Sequence, residues 1–190
     1  VSFARPDKAG IITAMQKSDT LLYATAFAGG LVSLSVELAA SSLLRPHFGT
    51  ANLVWAAIIG LILLYLTVGN LLGGRWVDRS PRRATLFQIV AWAGFAVGLV
   101  PFVARPVLTL AAPGFENFRM ALLARSFAVV LLLFSIPVTL LGCVSPFVIR
   151  LSLNQVSGSG RVAGQVYAVS TLGSFVGAFL PDLLLVPTIG

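Results

Sequence analysis

Five long apolar stretches, joined by short segments that hold nearly all the charges, dominate the chain. Between Leu21 and Leu44 only Glu37 is charged, and residues 51–74, 84–104, 126–149 and 162–181 carry no charge at all. A hydrocarbon layer of about 30 Å is crossed by roughly 20 helical residues at about 1.5 Å each. Each stretch is long enough, and the pattern predicts spans at 21–44, 53–74, 84–104, 126–149 and 162–186. Helices buried in a soluble protein keep a polar face, and a chain of 190 residues is too small to hide five that are apolar all round. Transmembrane strands alternate apolar and polar residues, which these runs do not. The expected fold is therefore an all-α membrane protein, a bundle of about five transmembrane helices. Residues 1–20 form a polar N-terminal lead, and 21–190 form the transmembrane domain.

Composition agrees. Hydrophobic residues make up 57% and charged residues 10% of the chain, whereas soluble domains carry about 25% charged residues. The net charge of +7 does not mark a nucleic-acid binder, because the basic residues sit at span ends and leave no soluble basic face. Nine Lys and Arg fall in the lead, in 75–83 and in 150–161, against four in 45–52 and 105–125. Cytoplasmic loops are the richer in Lys and Arg, so the N-terminus is expected inside. Short links predict that successive helices are antiparallel neighbours. The segment Pro187–Gly190 reads as a turn into a further helix, so the chain is expected to continue or to be one subunit among several.

In lipid, small residues permit close helix approach and polar residues bond across. The first span carries Ala26, Gly30, Ser33, Glu37 and Ser41 at spacings of three or four. The second carries Gly60, Thr67, Asn70 and Gly74, and the fifth carries Gly173 and Gly177 beside Ser170 and Ser174. These three faces are expected to meet, with Gly30, Gly60, Gly173 and Gly177 as packing positions. Glu37, with Ser33, Thr67 and Asn70 around it, is the candidate intramembrane polar site. A carboxylate at that depth costs at least about 2.5–3.5 kcal/mol, so it is paired, protonated or beside water. It is either a proton- or cation-coupling group or a hydrogen-bonded carboxyl that locks packing. Asp182 reads as interfacial, His47 as a solvated loop residue, Trp55 and Trp76 as interface anchors and Trp92 as packing. Pro137 and Pro146 remove backbone donors and predict a kinked fourth span. The single cysteine, Cys143, allows neither a disulfide nor a cysteine-based metal site, and no cofactor or metal is expected.

Gly74, Asp78, Arg79, Arg82 and Arg83 match the loop motif that joins the second and third helices of major facilitator transporters, with Pro81 in place of its inner Gly. In that family the loop latches the inward side; physically, the arginines also serve as a cytoplasmic anchor. A longer series follows a family order across nearly the whole chain: Glu37; Leu72, Gly73, Gly74 and Arg75; Pro137, Val138, Thr139 and Gly142 with Pro146; Tyr167, Thr171 and Gly173 with Gly177 and Pro187. Together they resemble the membrane domain of bacterial fused major facilitator/spermidine-synthase-like proteins. The resemblance implies a half of major-facilitator type, a longer parent chain, a bacterial cytoplasmic membrane and a link to polyamines. No strand leading to a Gly-rich nucleotide-binding turn is present in the sequence, so the family's catalytic part has no counterpart in these residues.

The expected role is an integral membrane module, an anchor or structural subunit of a larger assembly, non-catalytic by itself. The alternative is part of a transporter for polyamines or related small cations. Partners are then the lipid bilayer and other membrane subunits, or a further part of the same chain. Intramembrane proteolysis fits poorly, since the sole His lies in a loop and only Asp182 offers an aspartate near membrane depth.

Overall fold

The computed structural model describes residues 8–48, 52–111, 119–153, 159–181 and 183. Asp182 and Pro187 lie outside them, as does the side chain of His47. The described chain is helical: α1 Lys8–Phe48, α2 Asn52–Arg79, α3 Arg83–Ala111, α4 Arg119–Gly142, α5 Val144–Ser152 and α6 Ser159–Leu180. Five segments are long and apolar enough to cross a membrane: Asp19–Leu44, Trp55–Arg79, Arg83–Ala104, Ala128–Ser152 and Ser159–Leu180. These place the protein in the class of multi-pass helical membrane proteins. The helix of the first span begins inside the polar lead, at Lys8.

The fourth crossing is α4 and α5 together, interrupted by a turn at Cys143. The cause lies three residues on. Pro146 has no N–H to return to the Gly142 carbonyl, so the regular ladder fails there. Just before it, the Cys143 amide is shared between its regular acceptor, the Thr139 carbonyl (3.3 Å), and the Leu140 carbonyl (3.1 Å). Pro137, by contrast, lies within α4. This broken crossing is the central one, with 56% of its most apolar window buried against 17% for the third and fifth spans.

Neighbours in sequence are not the main neighbours in space, contrary to the expectation from short links. The most extensive contacts are α1 with α6 and α2 with α4; α3 packs on α4, α1 touches α2 only lightly, and among the described residues the backbone of α2 does not come close to that of α3 or α6. Both major pairs run parallel. In the first, Tyr23–Gln165 and Ser35–Gly177 are each 142 residues apart, so the helices advance together. In the second, Gly69 faces Thr139 and Gly142 while Gly73 faces Cys143 and Pro146.

Glycine makes both seams possible. A side chain at Gly30 would overlap the Ser170 carbonyl, one at Gly173 the Phe27 carbonyl and one at Gly177 the Leu31 carbonyl. Backbone-to-backbone approach of this kind is how helices associate where apolar burial supplies no driving force. Hydroxyls then bond across: Ser35 Oγ donates to the Gly177 carbonyl and Ser174 Oγ to the Gly30 carbonyl, each at 3.0 Å. Such intramembrane bonds average about 0.6 kcal/mol. Ser35→Ala and Ser174→Ala are each expected to destabilise by about that much in a detergent unfolding titration, far less than a glycine substitution in the same seam.

Two apolar clusters fill the bundle. One joins Val36, Ala40 and Leu44 to Ile58, Ile62, Val130, Phe134 and Val138. The other joins Leu22 and Ala26 to Val77, Leu86, Ile89, Phe147 and Val166. Large side chains also point outward, Phe102, Ile136, Phe175 and Leu183 among them, as expected of a surface wetted by lipid rather than water.

Candidate functional site

Glu37 occupies the inward-facing side of α1. Its helical neighbours Ala26, Gly30, Ala40, Ser41 and Leu44 are buried, and Ser33 one turn earlier is half-buried. Glu37 itself is also only half-buried, and among the described residues none hydrogen-bonds or ion-pairs with it. Tyr65 of α2 packs against the apolar cluster that contains Val36 and Ala40, and its hydroxyl is buried without a partner among the described residues. The sequence reading did not select Tyr65; an aromatic within an apolar run carries no signal that its oxygen is left unbonded.

Thr67 and Asn70 do not join Glu37. Both are exposed, as is Gly60, and Gly74 is half-buried with no described atom near enough to touch an added side chain. The buried residues of α2 are Ala57, Ile58, Leu61, Ile62, Gly69, Gly73 and Val77. At 3.6 residues per turn the stripe of Gly60, Thr67, Asn70 and Gly74 lies on the opposite side of the helix. The expected meeting of three small-residue faces is thus corrected: the first and fifth spans meet, and the second turns its polar stripe outward. Gly60 is not a packing position among the described residues, whereas Gly30, Gly173 and Gly177 sit in the α1–α6 seam. Thr67 Oγ1 is satisfied within its own helix by the Leu63 carbonyl at 2.8 Å.

Four residues that the sequence reading missed form the other seam: Gly69, Gly73, Gly142 and Cys143. Gly69 and Gly73 are a small pair four apart, a signal that was present but overshadowed by the more polar stripe beside it. Cys143 is buried, and its thiol donates across the seam to the Gly69 carbonyl at 3.2 Å. The residue that ends α4 therefore also ties it to α2.

The loop motif lies at one end of the bundle. Arg75, Asp78, Arg79, Arg82 and Arg83 are all exposed there, and Gly74 begins the segment. Asp78 pairs with Arg150 of α5 at 3.9 Å, which brings the ends of the second and fourth crossings together. Both side chains are largely solvated, so the pair orients more than it stabilises. Trp76 meets Phe147 edge to face at 6.0 Å, a firmer link between the same two elements. Arg161 opens α6, whose Gln165 accepts a bond from Tyr23 at 3.0 Å. Arg75, Arg79, Arg82, Arg83, Arg150 and Arg161 therefore gather at one end of the bundle, while Arg45, Arg105, Arg119 and Arg125 belong to the helix ends on the other side. Among the described residues no three His, Cys, Asp or Glu side chains come together.

Comparison with family models, with curated proteins and with solved structures gives no match.

Proposed function

We propose that the chain is an integral membrane module that docks into a larger membrane assembly, as anchor or structural subunit, without catalysing a reaction by itself. The observation that carries this reading is the outward stripe of α2. Asn70 lies nine residues from Arg79, about 13 Å into the membrane, and its amide is exposed. An amide left in hydrocarbon is costly, and small polar stripes are the surfaces on which membrane helices associate. Gly60, Thr67, Asn70 and Gly74 thus offer a face for another helix, supplied by a separate subunit or by a further part of the same chain. The resemblance to fused major facilitator/spermidine-synthase-like proteins supports the second source. It also supports a bacterial cytoplasmic membrane with the basic end, and so the N-terminus, inside. Under this reading Asn70→Leu keeps the isolated bundle as stable as wild type but releases the partner during purification from native membranes. Full retention of every co-purifying chain by Asn70→Leu removes α2 as the docking face.

A second reading has its own observation: Glu37, half-buried on the packed face of α1 and without a partner among the described residues. It makes the module part of a transporter for polyamines or related small cations, with Glu37 as the coupling carboxyl. Vesicles holding the full assembly then take up labelled polyamine, and Glu37→Gln abolishes uptake. Undiminished uptake by Glu37→Gln takes the residue out of the mechanism.

A further inference from the structure

Among the described residues the backbones of α2 and α3 stand apart despite a link of three residues, and an open groove runs along α3 and α4. Its volume is about 530 Å³, within the range of about 300–1,000 Å³ usual for ligand sites. The walls are apolar: Trp92 and Phe95 of α3 stand edge to face at 5.8 Å, and Ile136 and Pro137 of α4 form the other side. The chemistry changes at one end. There Trp76 of α2 and the amide-bearing Gln88 of α3 complete the lining. Beyond them come Arg79, one turn past Trp76, and then Arg82 and Arg83, in the stretch that links the two helices.

We propose that this groove holds one anionic phospholipid from the leaflet at the basic end, with an acyl chain along α3 and α4 and its phosphate among Arg79, Arg82 and Arg83. The lengths agree. From Gln88 to Val103 the lined face of α3 extends about 22 Å, and one leaflet of the hydrocarbon core is about 15 Å deep. Gln88 lies about 7 Å inward from Arg83 along the helix, at the level of the glycerol esters, where its amide has acceptors to meet. The charge is complementary, since three exposed guanidiniums sit where a phosphate emerges. A transmembrane helix is a poorer occupant. Helices associate over small residues, whereas this groove is lined by protruding rings, with Trp92 63% and Ile136 66% exposed. Nothing here depends on the docking face of α2.

The test uses the purified full chain in detergent, offered equal amounts of phosphatidylglycerol and phosphatidylcholine, with bound lipid counted by native mass spectrometry. One phosphatidylglycerol is expected to stay bound in preference to phosphatidylcholine. Each arginine near the surface contributes about fivefold to anionic-lipid affinity, so the combined Arg79→Gln, Arg82→Gln and Arg83→Gln variant loses on the order of 100-fold. Ile136→Trp, which fills the groove, loses the lipid with helix content unchanged by circular dichroism. Should Ile136→Trp fail to fold, the arginine variant alone decides, because its substitutions are all exposed. Equal retention of the two lipids by wild type overturns the proposal. So does retention by the arginine variant, or a second copy of the chain released by Ile136→Trp in place of lipid.

Discussion

Replacing Gly173 by Ala is expected to destabilise the bundle by at least the upper end of the about 1–3 kcal/mol typical of overpacking, although it adds a single methyl group. That methyl would overlap the Phe27 carbonyl oxygen and stand 2.9 Å from its carbon and 3.1 Å from the Leu31 nitrogen. All three are backbone atoms, so no rotamer change relieves the clash, and α1 and α6 must separate. Separation also weakens the bonds from Ser35 to Gly177 and from Ser174 to Gly30, both at 3.0 Å. The loss from one methyl thus spreads along the seam.

A control lies on the same helix. Gly164 has nothing within 4 Å of an added side chain, and Ala is the better helix former by about 1 kcal/mol. Gly164→Ala is therefore expected to leave stability unchanged or slightly raised, while Gly173→Ala lowers it. Both are read by unfolding in mixed micelles as the denaturing detergent fraction rises. Equal midpoints for the two variants would show that α1 and α6 do not meet through Gly173.

How much of this was legible beforehand follows from what lipid does to sequence patterns. Segregated charge and long apolar runs are written plainly, so five membrane-length helices could be read from the sequence. The pair Gly173 and Gly177 with the stripe through Gly30 could be matched because both spans show their small residues on one face. Rotation of the second span could not. In water the apolar side of a helix marks the inside, but against lipid it marks nothing. Two small stripes compete on α2: Gly60, Thr67, Asn70 and Gly74, and Gly69 with Gly73. The first is richer in polar groups and drew the reading; the second is the seam. The decisive information lay in α4, where Gly142 and the break at Cys143 bring a bare backbone to meet Gly69 and Gly73. Two prolines told of a distortion in the fourth span without telling where the ladder fails. The groove beside α3 was hidden for a related reason: a short link suggests contact, yet α4 takes the position against α2.

That competition makes the second seam the sharper experiment. Gly69→Ala and Gly142→Ala are each expected to lower stability about as much as Gly173→Ala. An alanine methyl at 69 meets the Thr139 carbonyl and stands 2.8 Å from the Gly142 Cα; one at 142 stands 2.7 Å from the Leu66 carbonyl oxygen and 3.0 Å from the Gly69 Cα. Each residue is thus the other's obstacle. Once either substitution has opened the seam, the second has room, so the pair is expected to fall short of additivity by about 0.5–3 kcal/mol. Gly142→Ala combined with Gly173→Ala acts on two separate seams and is expected to add. Gly60→Ala and Gly74→Ala, with open space around them, leave the isolated bundle unaffected. Cys143, the chain's one cysteine, gives a second readout, because its thiol is buried against the Gly69 carbonyl. Opening the seam exposes it, so a maleimide should label Gly142→Ala much faster than wild type and label Gly60→Ala no faster. Additive losses for Gly69→Ala and Gly142→Ala, with labelling unchanged, would place α4 against some other face of α2 and return the polar stripe to the interior.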